Sequence, residues 1–113
     1  MCTTNALQML LEELYHKLKN IYGKDLHKVI LYGSYARGDN DDESDIDVMA
    51  LVYSDESFIK KLEKDLAVIG SRMSLAYNVT LSVDVKNKNY FDHWKESMPY
   101  FKNIVAEGVE ISA

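Results

Sequence analysis

The chain has 113 residues, a net charge of −5 and 47% hydrophobic residues, which predicts a single globular domain over residues 1–113. Its acidic surplus argues against a protein that binds nucleic acid through the phosphates, because such binding needs clustered Lys and Arg. Cys2 is the only cysteine and no apolar run approaches a membrane span, so the sequence predicts a cytoplasmic protein.

The predicted elements alternate between helices and strands. Apolar residues at helical spacing predict helices over 7–21, 58–73 and 99–107. Asn5 and Gln8 resemble a capping pair for the first helix, and Gly23 is placed to end it. Apolar or alternating segments predict strands at 28–32, 45–52, 79–86 and 109–111. This order predicts an α/β fold (α+β), with a single mixed sheet of about four strands flanked by helices.

A turn of small residues follows the first predicted strand. The segment Gly33-Ser34-Tyr35-Ala36-Arg37-Gly38 leads into a brief predicted helix. Unpaired backbone N–H groups and the Ser34 hydroxyl at such a turn suit a phosphate anion. Gly33 and Gly38 have the spacing of a P-loop, but Asp39 stands where the P-loop lysine belongs, so the P-loop alternative fails. Taken alone, a turn of this kind is more often a plain connection between two elements.

A pair of carboxylates follows the turn. Asp45 and Asp47 stand one residue apart at the start of the second predicted strand, so their side chains project to the same side. Such carboxylates repel each other unless a cation lies between them, and Mg²⁺ prefers carboxylates together with substrate phosphate. A calcium loop starting at Asp39 fails, because Ser44 and Ala50 stand where Gly and Glu are required.

Asp84 is a third carboxylate, on the polar side of the third predicted strand. It converges with Asp45 and Asp47 if their strands are neighbours. Three carboxylates beside a phosphate-binding turn are the parts of a two-metal site for phosphoryl or nucleotidyl transfer. The alternative is a solvated strand edge whose acidic residues have no chemical role.

The combined motif resembles a known family. Gly33-Ser34, ten residues, then Asp45-Ile46-Asp47 is similar to the signature of the DNA polymerase β-type nucleotidyltransferase superfamily. With Glu107-Gly108-Val109 near the end, nearly the whole chain resembles the minimal nucleotidyltransferase (MNT) domains. The resemblance implies a polymerase β-like fold, Mg²⁺-dependent use of a nucleoside triphosphate, and a HEPN-domain partner, often as antitoxin and toxin. Some members of that family transfer AMP from ATP to a tyrosine of the partner.

The resemblance also implies a role for each matching residue. The nucleotide-binding residues would be Gly33, Ser34, Arg37 and Ser44. The metal-binding and catalytic residues, with two Mg²⁺ ions, would be Asp45, Asp47 and Asp84. Gly33 and Ser34 would bind the β- and γ-phosphates, and Asp84 would act as base toward the acceptor hydroxyl. Arg37 would neutralise phosphate charge or pair with the acidic loop.

Three functions compete at this point. The first is an Mg²⁺-dependent transferase that moves AMP from ATP to a hydroxyl, most simply a tyrosine, of a HEPN toxin with which it forms a hetero-oligomer. This function requires neither binding of nucleic acid nor a membrane. The second is a binding module that silences a partner protein and whose site is vestigial. The third is transfer to a small molecule, but such enzymes generally carry a second domain, for which 113 residues leave no room.

Overall fold

The structure is a computed structural model that describes residues 3–112, so Cys2 lies outside the described residues. Its helices are α1 (Thr4–Tyr22), α2 (Ser34–Arg37), α3 (Glu56–Lys61), α4 (Glu63–Tyr77), α5 (Lys88–Trp94) and α6 (Pro99–Glu107). Its strands are β1 (Leu26–Tyr32), β2 (Ile46–Val52), β3 (Leu81–Asn87) and β4 (Val109–Ile111). None of these helices is long and apolar enough to cross a membrane.

The four strands form one mixed sheet in the order β3-β2-β1-β4. Strand β1 is antiparallel to both β2 and β4, whereas β2 and β3 are parallel. The parallel pair requires a crossover, which α3 and α4 supply. The predicted fold class, a single mixed sheet of four strands flanked by helices, is confirmed.

Strand β2 is buried on both faces, which explains its nearly continuous apolar sequence. Val48 and Ala50 belong to a core that includes residues of α1 and α4. Met49 and Leu51 belong to a second cluster, formed with Phe91, Phe101 and Ile104 of α5 and α6. Because side chains alternate along a strand, residue 47 lies on the same face as Met49, under α5 and α6.

Helix α6 joins β4 through Gly108, which has almost no free space around its α-carbon. A Cβ at this position would overlap the carbonyl oxygen of Ile104 and the side chain of Ile30. The Gly108 N–H donates a hydrogen bond to that same carbonyl and so ends the helix. Glycine is therefore required here by close packing, since its φ of −68° is open to any residue.

Two predictions about the helices were wrong. The N-cap of α1 is Thr3, whose hydroxyl accepts a hydrogen bond from the Ala6 N–H at 3.1 Å, and not the pair Asn5 and Gln8. The predicted helix over 58–73 is two helices, separated at Leu62, where the backbone has φ −98° and ψ 3°. Neither Gly nor Pro marks this break in the sequence.

Candidate active site

Two carboxylates lie where β2 begins. Asp45 is exposed and immediately precedes the strand, and Asp47 is half-buried on the face that α5 and α6 cover. Burial raises the pKa of Asp47, the negative charge of Asp45 raises it further, and Arg37 acts in the opposite direction. None of the described residues donates a hydrogen bond to either carboxylate. The two charges therefore repel each other without compensation from a hydrogen-bond donor.

The Gly33 turn packs directly against Asp47. Gly33 has φ 77° and ψ −157°, a backbone conformation that is essentially restricted to glycine. A Cβ at this position would lie only 2.6 Å from Oδ2 of Asp47. Ser34 is the first residue of α2 and so lies at the same turn. The structure thus brings together the turn predicted to bind phosphate and a carboxylate predicted to bind metal.

Arg37 links the turn to the far end of the chain. Its Nε donates to Oδ2 of Asp39 at 3.1 Å, and its Nη1 donates to Oε2 of Glu107 at 3.0 Å. Glu107 is the last residue of α6, seventy positions along the chain. Arg37 therefore pairs with the acidic loop, one of its two predicted roles, and also connects α2 to α6.

Ser44 makes its side-chain hydrogen bonds within the acidic loop. Its hydroxyl accepts a hydrogen bond from the Asp41 N–H at 2.9 Å and lies 3.2 Å from the Asp41 Oδ1 atom, to which it donates. Ser44 also lines a depression of about 360 Å³ beside the C-terminal end of α4, whose lining includes neither Gly33 nor Asp47. The hydrogen bonds of Ser44 therefore stabilise the loop that contains Asp41.

Asp84 lies on β3, next to β2, so the strands are neighbours, but its position is diagonal to that of Asp47. The β2–β3 register pairs Asp47 with Ser82 and pairs Met49 with Asp84, so all four side chains share one face. Within residues 3–112, no group of three His, Cys, Asp or Glu side chains lies close enough to hold a metal ion. The site is therefore a close pair, Asp45 with Asp47, and a third carboxylate set apart from it.

Two tyrosines that belong to no sequence motif lie on the same side of the sheet as Asp47 and Asp84. Tyr32 pairs with Asp47 across β1 and β2, and its hydroxyl lies 2.7 Å from that of Tyr100 on α6. The Tyr100 hydroxyl donates to Oδ2 of Asp84 at 3.0 Å. Burial raises the pKa of both phenols, and the charges of nearby aspartates raise them further. No local pattern distinguishes Tyr100 among eight tyrosines, because its partners are distant in sequence.

A groove of about 790 Å³ runs along the outer edge of β3, which no other described strand covers. Asp84 and Ser82 line it at the strand, and Glu56 and Glu63 line it from α3 and α4. Lys86 also lines the groove, and its Nζ lies 3.9 Å from Oδ1 of Asp84. A second molecule can therefore approach Asp84 from the edge of the sheet.

Comparison with known sequences identifies relatives over most of the chain. Residues 10–110 match the family described as "Nucleotidyltransferase domain". Two relatives from Methanocaldococcus jannaschii, MJ0141 and MJ0604, are each named "Putative protein adenylyltransferase". MJ0141 is 39% identical over 79 residues, which are 70% of this chain and 78% of the relative. MJ0604 is 32% identical over 98 residues, which are 87% of this chain and 90% of the relative.

Solved structures of low sequence identity share the fold. One, from Sulfolobus solfataricus, is described as "a putative nucleotidyltransferase"; it is 18% identical, has a TM-score of 0.51, and matches 91% of this chain and 77% of that one. A second is a mutant of the toxin–antitoxin complex MntA-HpeT, with 17% identity, a TM-score of 0.51, and coverage of 87% and 69%. At these identities the similarity extends to the fold alone.

Proposed function

Since this chain belongs to the nucleotidyltransferase domain family, we propose that it transfers AMP from ATP to a tyrosine hydroxyl of a HEPN-class partner protein and thereby acts as its antitoxin. The observation that carries the proposal is the close packing of Gly33 against Asp47, which brings the turn proposed to bind phosphate next to a repelling pair of carboxylates. The names of the two archaeal relatives support a protein acceptor. The toxin–antitoxin complex that shares the fold supports a toxin as that acceptor.

The carboxylate pair fits a divalent cation. Asp47 is half-buried and repelled by Asp45, so a cation between them would relieve an unfavourable interaction. Mg²⁺ is usually bound by one or two carboxylates plus substrate phosphates, so two protein ligands suffice. Asp45 and Asp47 would hold Mg²⁺ together with the nucleotide, and Asp84 would contribute to a second ion. When bound, Mg²⁺ supplies electrostatic stabilisation of the entering and leaving oxygens.

The remaining groups bind the nucleotide and move a proton. Backbone N–H groups after Gly33 and the Ser34 hydroxyl would bind the β- and γ-phosphates. The acceptor oxygen then attacks the α-phosphorus, and the bond from that phosphorus to the bridging oxygen of pyrophosphate breaks. Asp84 takes the proton from the acceptor hydroxyl. The groove along β3 leaves Asp84 open to a segment of the partner.

The substitution Gly33→Ala should abolish ATP binding. The new Cβ would push against Oδ2 of Asp47 and would fill the space where phosphate must approach the backbone. Isothermal titration calorimetry with Mg²⁺ and a non-hydrolysable ATP analogue measures the affinity, and thermal melting measures the loss of stability.

A matched control separates backbone strain from the lost site. Gly23 has φ 56° and ψ −128°, in the same glycine-favouring region, but nothing lies within 4 Å of its Cβ position. Gly23→Ala should therefore lower the melting temperature and leave nucleotide affinity unchanged. If Gly33→Ala binds the analogue as tightly as Gly23→Ala does, the turn is only a structural connection.

The function itself is tested by searching the genes next to that of this chain for a HEPN protein and purifying that protein together with the chain. The two purified proteins are incubated with ATP and Mg²⁺, and the intact mass and toxicity of the partner are measured together. We expect the partner to gain the mass of one or more adenylyl groups and to lose activity. A partner that is fully neutralised without any gain in mass, with or without ATP, would instead establish the chain as a binding module.

A further inference from the structure

We propose that Tyr100 is a self-modification site: in the absence of a partner, the chain transfers AMP from ATP to the hydroxyl of its own Tyr100. The inference rests on the proposed use of ATP, but it does not depend on the identity of the partner. It follows from the hydrogen bond that the Tyr100 hydroxyl donates to Asp84 in this structure.

Asp84 is the proposed base for the acceptor hydroxyl, and a base must lie within hydrogen-bond distance of the proton that it removes. The Tyr100 hydroxyl meets this condition, because it donates to Oδ2 of Asp84 at 3.0 Å. Tyr100 is also a tyrosine, the residue type proposed as the acceptor in the partner. It therefore occupies the position that an incoming acceptor would take.

The direction of the hydrogen bonds selects Tyr100 over Tyr32 as the nucleophile. A hydroxyl carries one proton, and that of Tyr100 points to Asp84. In the 2.7 Å contact between the two phenols, Tyr32 must therefore be the donor and Tyr100 the acceptor. Once Asp84 removes the proton from Tyr100, the Tyr32 hydroxyl stabilises the negative oxygen that remains. Tyr32 has no equivalent arrangement, because its own proton points to Tyr100.

The position of the pair also favours access to the nucleotide. The Tyr32 hydroxyl is close enough to both Asp47 and Asp84 for their charges to raise its pKa. The Tyr100 oxygen lies 2.7 Å from that hydroxyl and 3.0 Å from Oδ2 of Asp84, on the face of the sheet that also carries Asp47. Tyr100 is 39% exposed, so part of the residue is open to solvent and to a bound nucleotide.

The proposed reaction transfers AMP from ATP to Tyr100, with every bond and proton accounted for. The Tyr100 oxygen forms a bond to the α-phosphorus of ATP, pyrophosphate departs with the bridging oxygen and its electron pair, and the phenolic proton passes to Asp84. The products are O-adenylyl-Tyr100 and pyrophosphate. We expect transfer of a single AMP, to the one phenol that is hydrogen-bonded to Asp84.

The test uses the purified chain with ATP and Mg²⁺ and no partner. Intact-mass measurement over time should show a gain of one adenylyl group, and peptide mapping should place it on Tyr100. Tyr100→Phe keeps the ring packed against Phe101 but removes the hydroxyl, so this variant should gain no mass. Tyr90→Phe is the matched control, because Tyr90 also packs its ring on Phe101 and is exposed, with a hydroxyl that makes no hydrogen bond to the described residues. It should be modified like wild type.

The outcomes separate this inference from the proposed function. A wild-type chain that adenylylates its partner but never itself would overturn the Tyr100 proposal and leave the proposed function standing. Modification that persists in Tyr100→Phe would also overturn it, because the acceptor would then be another residue. If neither the chain nor the partner gains mass, both proposals are rejected. Thermal melting of Tyr100→Phe shows whether this variant is folded. The variant Asp84→Asn keeps Tyr100 but lacks the base, so it should also lose self-modification.

Discussion

Replacing Asp45 and Asp47 together by asparagine is expected to reduce AMP transfer below detection while the fold is kept. Both side chains keep their size, but the metal loses its charged ligands and the triphosphate loses the cation that neutralises it. Transfer is measured as the gain in mass of the partner, and secondary structure is compared by circular dichroism. A folded double variant that transfers AMP at the wild-type rate would show that these carboxylates hold no essential metal.

The same double variant should be slightly more stable than wild type at neutral pH. The pKa of Asp47 is raised in the folded state by burial and by Asp45, so its ionisation destabilises the fold above that raised pKa. As pH falls through the raised pKa and below the ordinary value of 3.8, Asp47 becomes protonated and the penalty disappears. The difference in melting temperature should therefore shrink with falling pH. Glu96→Gln, which removes one exposed carboxylate, is the control for the loss of negative charge. Its melting temperature at neutral pH should differ less from that of wild type than the melting temperature of the double variant does.

Asp84→Asn is expected to slow transfer by about 10²–10⁴-fold, the usual contribution of a general base, while ATP and the partner still bind. The substitution removes one charge and almost no volume, and the asparagine oxygen can still accept the hydrogen bond from Tyr100. Single-turnover rates of AMP transfer measure the chemical step, and calorimetry measures binding of the nucleotide and of the partner.

Lys86→Gln provides a control for the altered charge in the groove, because Lys86 lies 3.9 Å from Asp84 and lines the same groove. We expect Lys86→Gln to change partner affinity more than the single-turnover rate. An Asp84→Asn variant with wild-type single-turnover kinetics would exclude Asp84 as the base.

The fold could be predicted where the sequence pattern is local. The four strands are found close to their predicted positions because each is a short apolar or alternating segment bounded by turn residues. The break at Leu62 could not be predicted, because no residue there disfavours a helix and tertiary packing decides where α3 ends. The cap of α1 could not be predicted, because both Thr3 and Asn5 are good capping residues and only the geometry distinguishes them.

The site could be predicted only in part, for a related reason. The contact of Gly33 with Asp47 joins two segments of a single motif, and a strand–turn–strand arrangement brings them together. The contacts of Tyr100 depend on how α6 crosses the sheet, which no local pattern encodes. The family resemblance implies a nucleotide-binding role for Ser44, whereas its hydroxyl bonds to Asp41 within the loop.

The link between Arg37 and Glu107 has a consequence for the construction of chimeras with relatives. The Gly33 turn and the end of α6 are distant in sequence, yet two contacts connect them. One is this 3.0 Å ion pair, and the other is the packing of Gly108 on Ile30 of β1. A C-terminal segment exchanged after α5 would have to bring both a carboxylate at 107 and a glycine at 108. Otherwise the graft would disturb the turn that faces Asp47, although the exchanged segment contains none of the residues proposed to bind nucleotide or metal. A chimera should therefore not be joined in the loop between α5 and α6.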